Sequence, residues 1–257
     1  MAEDKYQFQT KSQYLNLLIL RDELQHLDTV LSQPINEAQD LLTKFRATRL
    51  VFLTLNNVKD VAERVHLIGS RDFVKKTRAL RKELLFANHF RNKGIGHLDE
   101  ALLKRAVQWS PQIFYETSKD NEMFRLIQSH RAIIESCINS FVDNEGAQKV
   151  FGKEIDLNCP PEAREFFSYL SETVKAAIDW LAEATSASFE KINHHPDEEI
   201  HELAAIAGQT NFNLKESPEY SYSVQEHREV LAAVLKELEE DGSDPKIVEY
   251  LRSKFEI

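Results

Sequence analysis

Glycine and proline are scarce in this chain, which has seven of each in 257 residues. Sandwiches and barrels need many tight turns, and therefore many of these residues, so the scarcity argues against an all-β fold. Apolar residues recur instead at helical spacing along most of the chain, without the alternation typical of strands. The sequence therefore predicts an all-α protein.

Cysteine and long apolar runs are also nearly absent. Cys137 and Cys159 are too few for a disulfide framework and too isolated for a zinc site. The best apolar run, residues 15–20, is interrupted by Asn16 and followed by Arg21, far short of the roughly 20 residues that span a membrane. The N-terminus lacks the charged-then-apolar pattern of a secretory signal. We expect a cytoplasmic protein that makes no contact with a membrane.

Charge is unevenly distributed along the chain. The formal net charge of −10 argues against a protein that coats nucleic acid with its whole surface. Residues 71–93 nevertheless contain eight basic and two acidic side chains, so they carry +6 and the remainder carries −16. Four of the basic residues recur at i, i+4, i+7 and i+11 and form a stripe on a predicted helix: Arg71, Lys75, Arg78 and Lys82. This stripe is a candidate surface for a negatively charged partner.

Apolar periodicity and capping residues outline the helices. The predicted helices are 12–31, 35–68, 70–90, 99–110, 118–141, 162–190, a short one after Pro196, 224–240 and 244–255, with Ser70 and Ser243 as caps and a loop at 208–223. Gly152 and the Pro160-Pro161 pair mark the expected boundary between an antiparallel helical bundle, residues 1–155, and a helical extension, residues 156–257. Cys137, Trp109 and Trp180 fall within helical patterns, and we expect all three in the core.

The most informative stretch is Arg91-Asn92-Lys93-Gly94-Ile95-Gly96-His97. Glycine costs a helix about 1 kcal/mol relative to alanine, so the two glycines predict a break or tight bend. An arginine, an amide and a histidine held at a bend suit chemistry on a phosphate group.

Two other arginine–histidine pairs have similar spacing, Arg21 with His26 and Arg125 with His130. Residues five apart on an unbroken helix lie about 140° apart around its axis, so their side chains diverge. Both of these pairs lie in patterns without an internal glycine or proline. Only Arg91 and His97 span a segment that contains glycine and adjoins the basic stripe.

The stretch resembles the signature of the HEPN family, an arginine and a histidine separated by four to six residues, with a polar residue after the arginine. Here five residues separate Arg91 from His97, and Asn92 takes the polar position. The form RNK-x-x-G-H is especially similar to HEPN proteins of the abortive-infection branch. The resemblance covers residues 10–150 and implies a HEPN-like helical bundle.

The resemblance also implies an activity: a metal-independent endoribonuclease, without a cofactor, used in defence or as a toxin. HEPN ribonucleases usually form homodimers in which both copies of the motif face one cleft. The 2′-hydroxyl of the RNA attacks the adjacent phosphate and leaves a cyclic phosphate. An antitoxin or another protein partner is compatible with such a role.

The resemblance to HEPN ribonucleases implies a role for each matching residue. His97 would transfer protons, because histidine titrates near neutral pH. Arg91 would hold the scissile phosphate and stabilise its developing charge, and Asn92 would orient the pair or contact the phosphate. The residues that would guide the RNA backbone are Lys75, Arg78, Lys82 and Lys93.

Two alternatives stay open. In the first, Arg91 and His97 belong to an ordinary helix–helix turn, and the protein is a non-catalytic helical adaptor that binds a protein or nucleic acid through the basic stripe. In the second, His194 or His195 binds a metal ion together with His201. The Pro-Asp-Glu-Glu sequence between these histidines is typical of a helix start, so we expect no metal site there.

Overall fold

The computed structural model describes residues 5–65, 71–208, 210–215, 235–236, 238–240 and 245–255. Its α-helices are α1 (Lys5–Ser32), α2 (Ala38–Ala62), α3 (Arg71–Glu83), α4 (Leu85–Phe90), α5 (Glu100–Trp109), α6 (Glu122–Asn139), α7 (Pro160–Phe189), α8 (Ile200–Ala207) and α9 (Pro245–Phe255). Within the described residues no β-strand occurs, and only Val142 and Gln148 form an isolated bridge. The all-α prediction is confirmed. The predicted caps Ser70 and Ser243 lie outside the described residues. So do residues 216–234, which comprise the second half of the predicted loop 208–223 and most of the predicted helix 224–240.

The chain divides into two compact units. One unit comprises residues 13–190, and the other combines residues 1–12 with residues 191–257. This division differs from the predicted boundary near residue 155, because α7 belongs with the helices that precede it. Phe166, Leu170 and Trp180 of α7 are at most 3% exposed and lie in the same hydrophobic core as α2, α4 and α6.

Aromatic rings form the centre of the larger unit. The ring of Phe52 on α2 stacks on Phe90 of α4 with centroids 3.8 Å apart, and Phe86 packs edge-on against both. Phe166 of α7 lies 6.3 Å from Phe52, measured between ring centroids. Each aromatic pair adds about 0.5–1.5 kcal/mol beyond the burial of its area, so this cluster fixes α4 firmly against α2.

The predicted helix 70–90 is wrong in one respect, because Leu84 separates α3 from α4. On one straight helix at 100° per residue, Phe86 would point about 140° away from Phe73, which lies on the core side of α3. Leu84 has φ −73° and ψ 1°, outside helical geometry. The break turns Phe86 and Phe90 into the core, while Lys75, Arg78 and Lys82 stay exposed on α3.

A buried ion pair within α6 contacts the end of α5. Glu135 is fully buried and Arg131 is 3% exposed, and the Arg131 Nη1 donates to both Glu135 carboxylate oxygens at 2.7 Å. The Trp109 indole Nε1 donates to Glu135 at 2.8 Å and the Leu157 backbone N donates at 2.6 Å. One carboxylate thus ties α5 and the segment before α7 to α6, although burial raises the pKa of Glu135.

Candidate functional site

The predicted bend follows directly from α4. Residues Arg91–Ile95 form a single π-helical turn, closed by a hydrogen bond from the Gly96 backbone N to the Arg91 carbonyl at 2.9 Å. The chain then bends at Gly96 and His97 before α5 begins. A π-turn is uncommon, and such turns occur often at functional sites.

The physical role of the glycines differs from the one predicted. Both lie in helical conformations, and the glycines with positive φ in the described residues are Gly146 and Gly152. Gly94 is buried, and a Cβ built on it would overlap the Cys137 Sγ of α6. Position 94 therefore favours glycine, which lets the turn approach α6 closely. The buried position predicted for Cys137 is confirmed.

Replacing Gly94 by alanine is expected to destabilise the protein by about 1–2 kcal/mol. Overpacking a core costs about 1–3 kcal/mol, and the better helix propensity of alanine, about 1 kcal/mol, offsets only part of it. The free energy of unfolding in urea measures the change. A second substitution, Cys137→Ala, removes the Sγ and should recover most of the loss. Equal stability of Gly94→Ala and wild type would contradict the packing argument.

The three predicted catalytic side chains are all exposed. Arg91 Nη1 donates to Asn92 Oδ1 at 3.1 Å, and Asn92 Nδ2 donates to Asn88 Oδ1 at 3.4 Å. The Arg91 side chain lies over the bend, because its Nε is 3.9 Å from the position of a Cβ on Gly96. His97 follows immediately and makes no hydrogen bond or ion pair to any described residue. The structure thus joins Arg91 to Asn92 and leaves the His97 side chain exposed, without a partner in the part of the chain that it describes.

Lys93 stabilises the bend. Its Nζ lies 2.7 Å from Asp99 Oδ2, and its carbonyl accepts from the Asp99 backbone N at 3.0 Å. Asp99 also caps α5 by accepting from the Leu102 N at 3.1 Å. The Lys93 ammonium and the Leu102 amide lower the pKa of Asp99. Lys93, predicted to guide RNA, is therefore paired with Asp99 in this structure.

The other predicted RNA-guiding residues lie on the exposed face of α3. Lys75 is 3.9 Å from Asp72, a weak contact between two exposed side chains. Arg78 and Lys82 have no ion pair among the described residues. The neighbouring basic residues are engaged, since Lys76 pairs with Glu183 at 2.7 Å and Arg81 with Glu63 at 3.1 Å. Lys75, Arg78 and Lys82, hereafter the α3 cations, therefore offer positive charge to solvent.

One residue that contacts the turn, Arg49, was not singled out by the sequence patterns. Arg49 of α2 donates from Nη2 to the Gly94 carbonyl at 2.8 Å. Its Nε and the Nδ1 of His130 on α6 are buried without a partner in the described part of the chain. Burial, followed by the charges of Arg49 and Arg46, lowers the pKa of His130. Arg49 positions the turn from below, and in the sequence it resembles any other polar residue of a long helix.

A histidine–serine contact one turn earlier connects α4 to α6. His89 Nε2 lies 3.0 Å from Ser140 Oγ. Burial, together with the Lys93 charge, lowers the pKa of His89 and so favours its neutral imidazole. The pair fixes the entry of α4 into the π-turn.

The competing pairs behave as predicted for unbroken helices. Arg21 and His26 lie within α1, and Arg125 and His130 lie within α6. Arg125 is engaged elsewhere, because it donates to the carbonyls of Ser118 and Lys119. Neither pair forms a joint site.

The histidines after α7 show no metal centre. His195 Nδ1 lies 3.7 Å from Glu199, and its Nε2 lies 2.8 Å from Lys11 Nζ. A 3₁₀ turn at Asp197–Glu199 leads into α8, as the helix-start interpretation predicts. Among the described residues, no three His, Cys, Asp or Glu side chains are grouped to hold a metal ion.

In the ranges that the structure describes, no helix combines the length and apolar character needed to cross a membrane. Comparisons of the chain with protein-family models, curated proteins and solved structures found no match.

Proposed function

We propose that this protein is a HEPN-type, metal-independent endoribonuclease, acting in defence or as a toxin. The observation that carries the proposal is the exposed Arg91 side chain lying over the bend that leads to His97. Asn92 accepts a hydrogen bond from Arg91 and so limits the positions of the guanidinium. The Arg91 guanidinium offers a fork of donors, and the imidazole of His97 on the same tight turn has no hydrogen-bond partner among the described residues. Both groups suit the binding of a phosphate during displacement.

The proposed reaction needs no metal ion. The RNA 2′-hydroxyl gives its proton to one histidine, its oxygen forms a bond to phosphorus, and the P–O5′ bond breaks. The departing O5′ takes a proton from a second, protonated histidine. The products are a 2′,3′-cyclic phosphate and a 5′-hydroxyl. Arg91 would stabilise the charge that develops on the non-bridging oxygens.

We further propose that two chains form the active species. In-line displacement needs the base and the acid on opposite sides of the phosphorus, and one His97 from each protomer would supply them. An apolar surface follows His97 directly: Leu98, Leu103 and Val107 are 46%, 36% and 50% exposed. Such a surface suits a self-complementary contact, which would give a particle of twice the 29.7 kDa chain mass.

The α3 cations are proposed to bind the RNA backbone. Replacing Lys75, Arg78 and Lys82 with alanine should weaken RNA binding at low salt and reduce the slope of log affinity against log salt. Each lost contact to a single strand accounts for about 0.7 of that slope. Fluorescence anisotropy with a labelled 2′-O-methyl oligonucleotide, which cannot be cleaved through its 2′ oxygen, measures the effect. The matched control replaces three exposed lysines elsewhere, Lys119, Lys153 and Lys175, and an equal loss in the control would contradict this role.

The activity is tested by incubating the pure protein with mixed RNA in excess chelator. We expect fragments ending in a 2′,3′-cyclic phosphate, and no fragments from the same RNA bearing 2′-O-methyl groups. Intact RNA in every reaction, together with a stable complex with a protein partner, would favour the non-catalytic adaptor. Cleavage that requires added metal ions would contradict the proposed mechanism.

A further inference from the structure

A second cleft, outside the proposed catalytic turn, lies between α5, the end of α6 and the segment that follows α6. Its volume is about 550 Å³, within the range of about 300–1,000 Å³ for small-molecule sites. Trp109 and Val142 supply apolar walls, and Ser136, Gln108, Arg105 and Glu154 supply polar groups. The residues that line it belong neither to the proposed catalytic turn nor to the α3 cations.

Trp109 forms an apolar wall of this cleft, and it is more exposed than the sequence predicted. Trp180 is 3% exposed, as predicted for a core residue, but the prediction was wrong for Trp109, which is 39% exposed. The hydrogen bond from its indole to the buried Glu135 fixes the ring. The ring also lines a neighbouring cleft of about 490 Å³. A large aromatic ring that is both fixed and accessible is a preorganised stacking surface.

Ser136 contributes an unused polar group. Its side chain is 7% exposed, and its Oγ is buried without a hydrogen-bond partner in the described residues. Buried hydroxyls are nearly always paired, and this one belongs to a residue that lines the cleft, so a ligand bound there would supply the partner it lacks. At the rim, Arg105, Gln108 and Glu154 are exposed, and their side chains make no hydrogen bond or ion pair to any other described residue.

We propose that the cleft binds a nucleobase. A nucleobase has a flat aromatic face to stack on Trp109 and donors and acceptors along its edge to pair with Ser136 and Gln108. A purely apolar ligand would leave the Ser136 hydroxyl unpaired. The Arg105 guanidinium suits either a base edge or the attached phosphate. The same chemistry is found in a free mononucleotide and in single-stranded RNA, and only the choice of RNA as the source rests on the proposed ribonuclease function.

Trp109 fluorescence provides a direct assay. The chain has two tryptophans, so Trp180→Phe leaves Trp109 as the single reporter. Purine mononucleotides and a 2′-O-methyl RNA oligonucleotide are titrated in parallel, with ribose 5-phosphate as the ligand without a base. We expect the mononucleotides and the oligonucleotide to quench the Trp109 fluorescence, and ribose 5-phosphate to leave it unchanged. Much tighter binding of the oligonucleotide assigns the site to RNA, and equal affinity assigns it to free nucleotides.

Two serine variants separate binding from folding. Ser136→Ala should weaken binding about 2- to 12-fold, the range for one hydrogen bond, without lowering the Tm, because its Oγ makes no hydrogen bond to a described residue. Ser188→Ala is the matched control, since its buried Oγ on α7 also lacks a partner in the described residues, but it does not line the cleft. Trp109→Ala, followed with a labelled oligonucleotide, should weaken binding by about 5- to 150-fold, and Trp109→Phe much less.

Either of two outcomes overturns the proposal: no quenching by any nucleotide, or equal effects of Ser136→Ala and Ser188→Ala on affinity. The outcome for the nucleobase site can be told apart from the outcome for the proposed ribonuclease, because quenching and RNA cleavage are measured separately. Quenching without RNA cleavage supports the nucleobase site alone, and cleavage without quenching supports the ribonuclease alone.

Discussion

The His97→Ala variant is expected to cleave RNA about 100- to 10,000-fold more slowly than the wild type. That range is the usual contribution of a positioned acid or base to a reaction. The His97 side chain is exposed and makes no hydrogen bond or ion pair to another described residue, so its removal should leave the fold intact. Rates are measured in excess chelator at a fixed RNA concentration, and the Tm of each variant is measured alongside.

The matched control for this prediction is His26→Ala. His26 is also exposed, and it stands at a similar spacing from Arg21, but on the continuous helix α1. We expect wild-type cleavage from His26→Ala. Equal rates for His97→Ala and the wild type would remove His97 from the mechanism, and equal losses in both variants would point to a general effect on the protein.

Replacing Arg131 with methionine is expected to lower the free energy of unfolding by about 3–5 kcal/mol. The substitution leaves the fully buried Glu135 carboxylate without its counter-charge, and breaking a buried pair from one side costs about that much. It also removes hydrogen bonds from Arg131 to Ser110 and Gln128. Urea unfolding at neutral pH measures the loss.

The double variant Arg131→Met with Glu135→Leu tests the cause. Exchanging a whole buried pair for apolar residues is often neutral, so the double variant should be more stable than Arg131→Met alone. The pH dependence gives a second test. Burial raises the pKa of Glu135, and loss of the Arg131 charge raises it further, so the folded variant binds a proton at this carboxyl more readily than its unfolded chain does. The deficit of Arg131→Met should therefore be largest at high pH and shrink as the pH falls, whereas a deficit independent of pH would indicate packing instead of charge.

Local patterns were enough to predict most of the helices. Apolar periodicity places α1, α2 and α7, and the acidic residues after the bend place the start of α5, because both signals depend on neighbours along the chain. The break at Leu84 could not be predicted in this way. It results from the packing of Phe86 and Phe90 against Phe52 of α2, a partner more than 30 positions away in sequence.

The same limit applies to the candidate site. The sequence places Arg91, Asn92 and His97 at a bend, and the bend is present. The reason for Gly94, its close approach to Cys137, depends on a helix that follows some 30 residues later. The role of Arg49 beneath the turn depends on α2, a helix that precedes the turn in the sequence. Trp109 was misassigned because a helical pattern indicates which face is apolar but not whether another element covers it.

Arg91 and His97 are proposed to act together on one phosphate. The RNA cleavage rates of Arg91→Ala, His97→Ala and the double variant in excess chelator test whether they do. Residues that act as a unit are strongly non-additive, so the double variant should lose about as much activity as the more damaged single variant. A double variant whose loss equals the product of the two single losses would contradict the claim, as would a wild-type rate from either single variant.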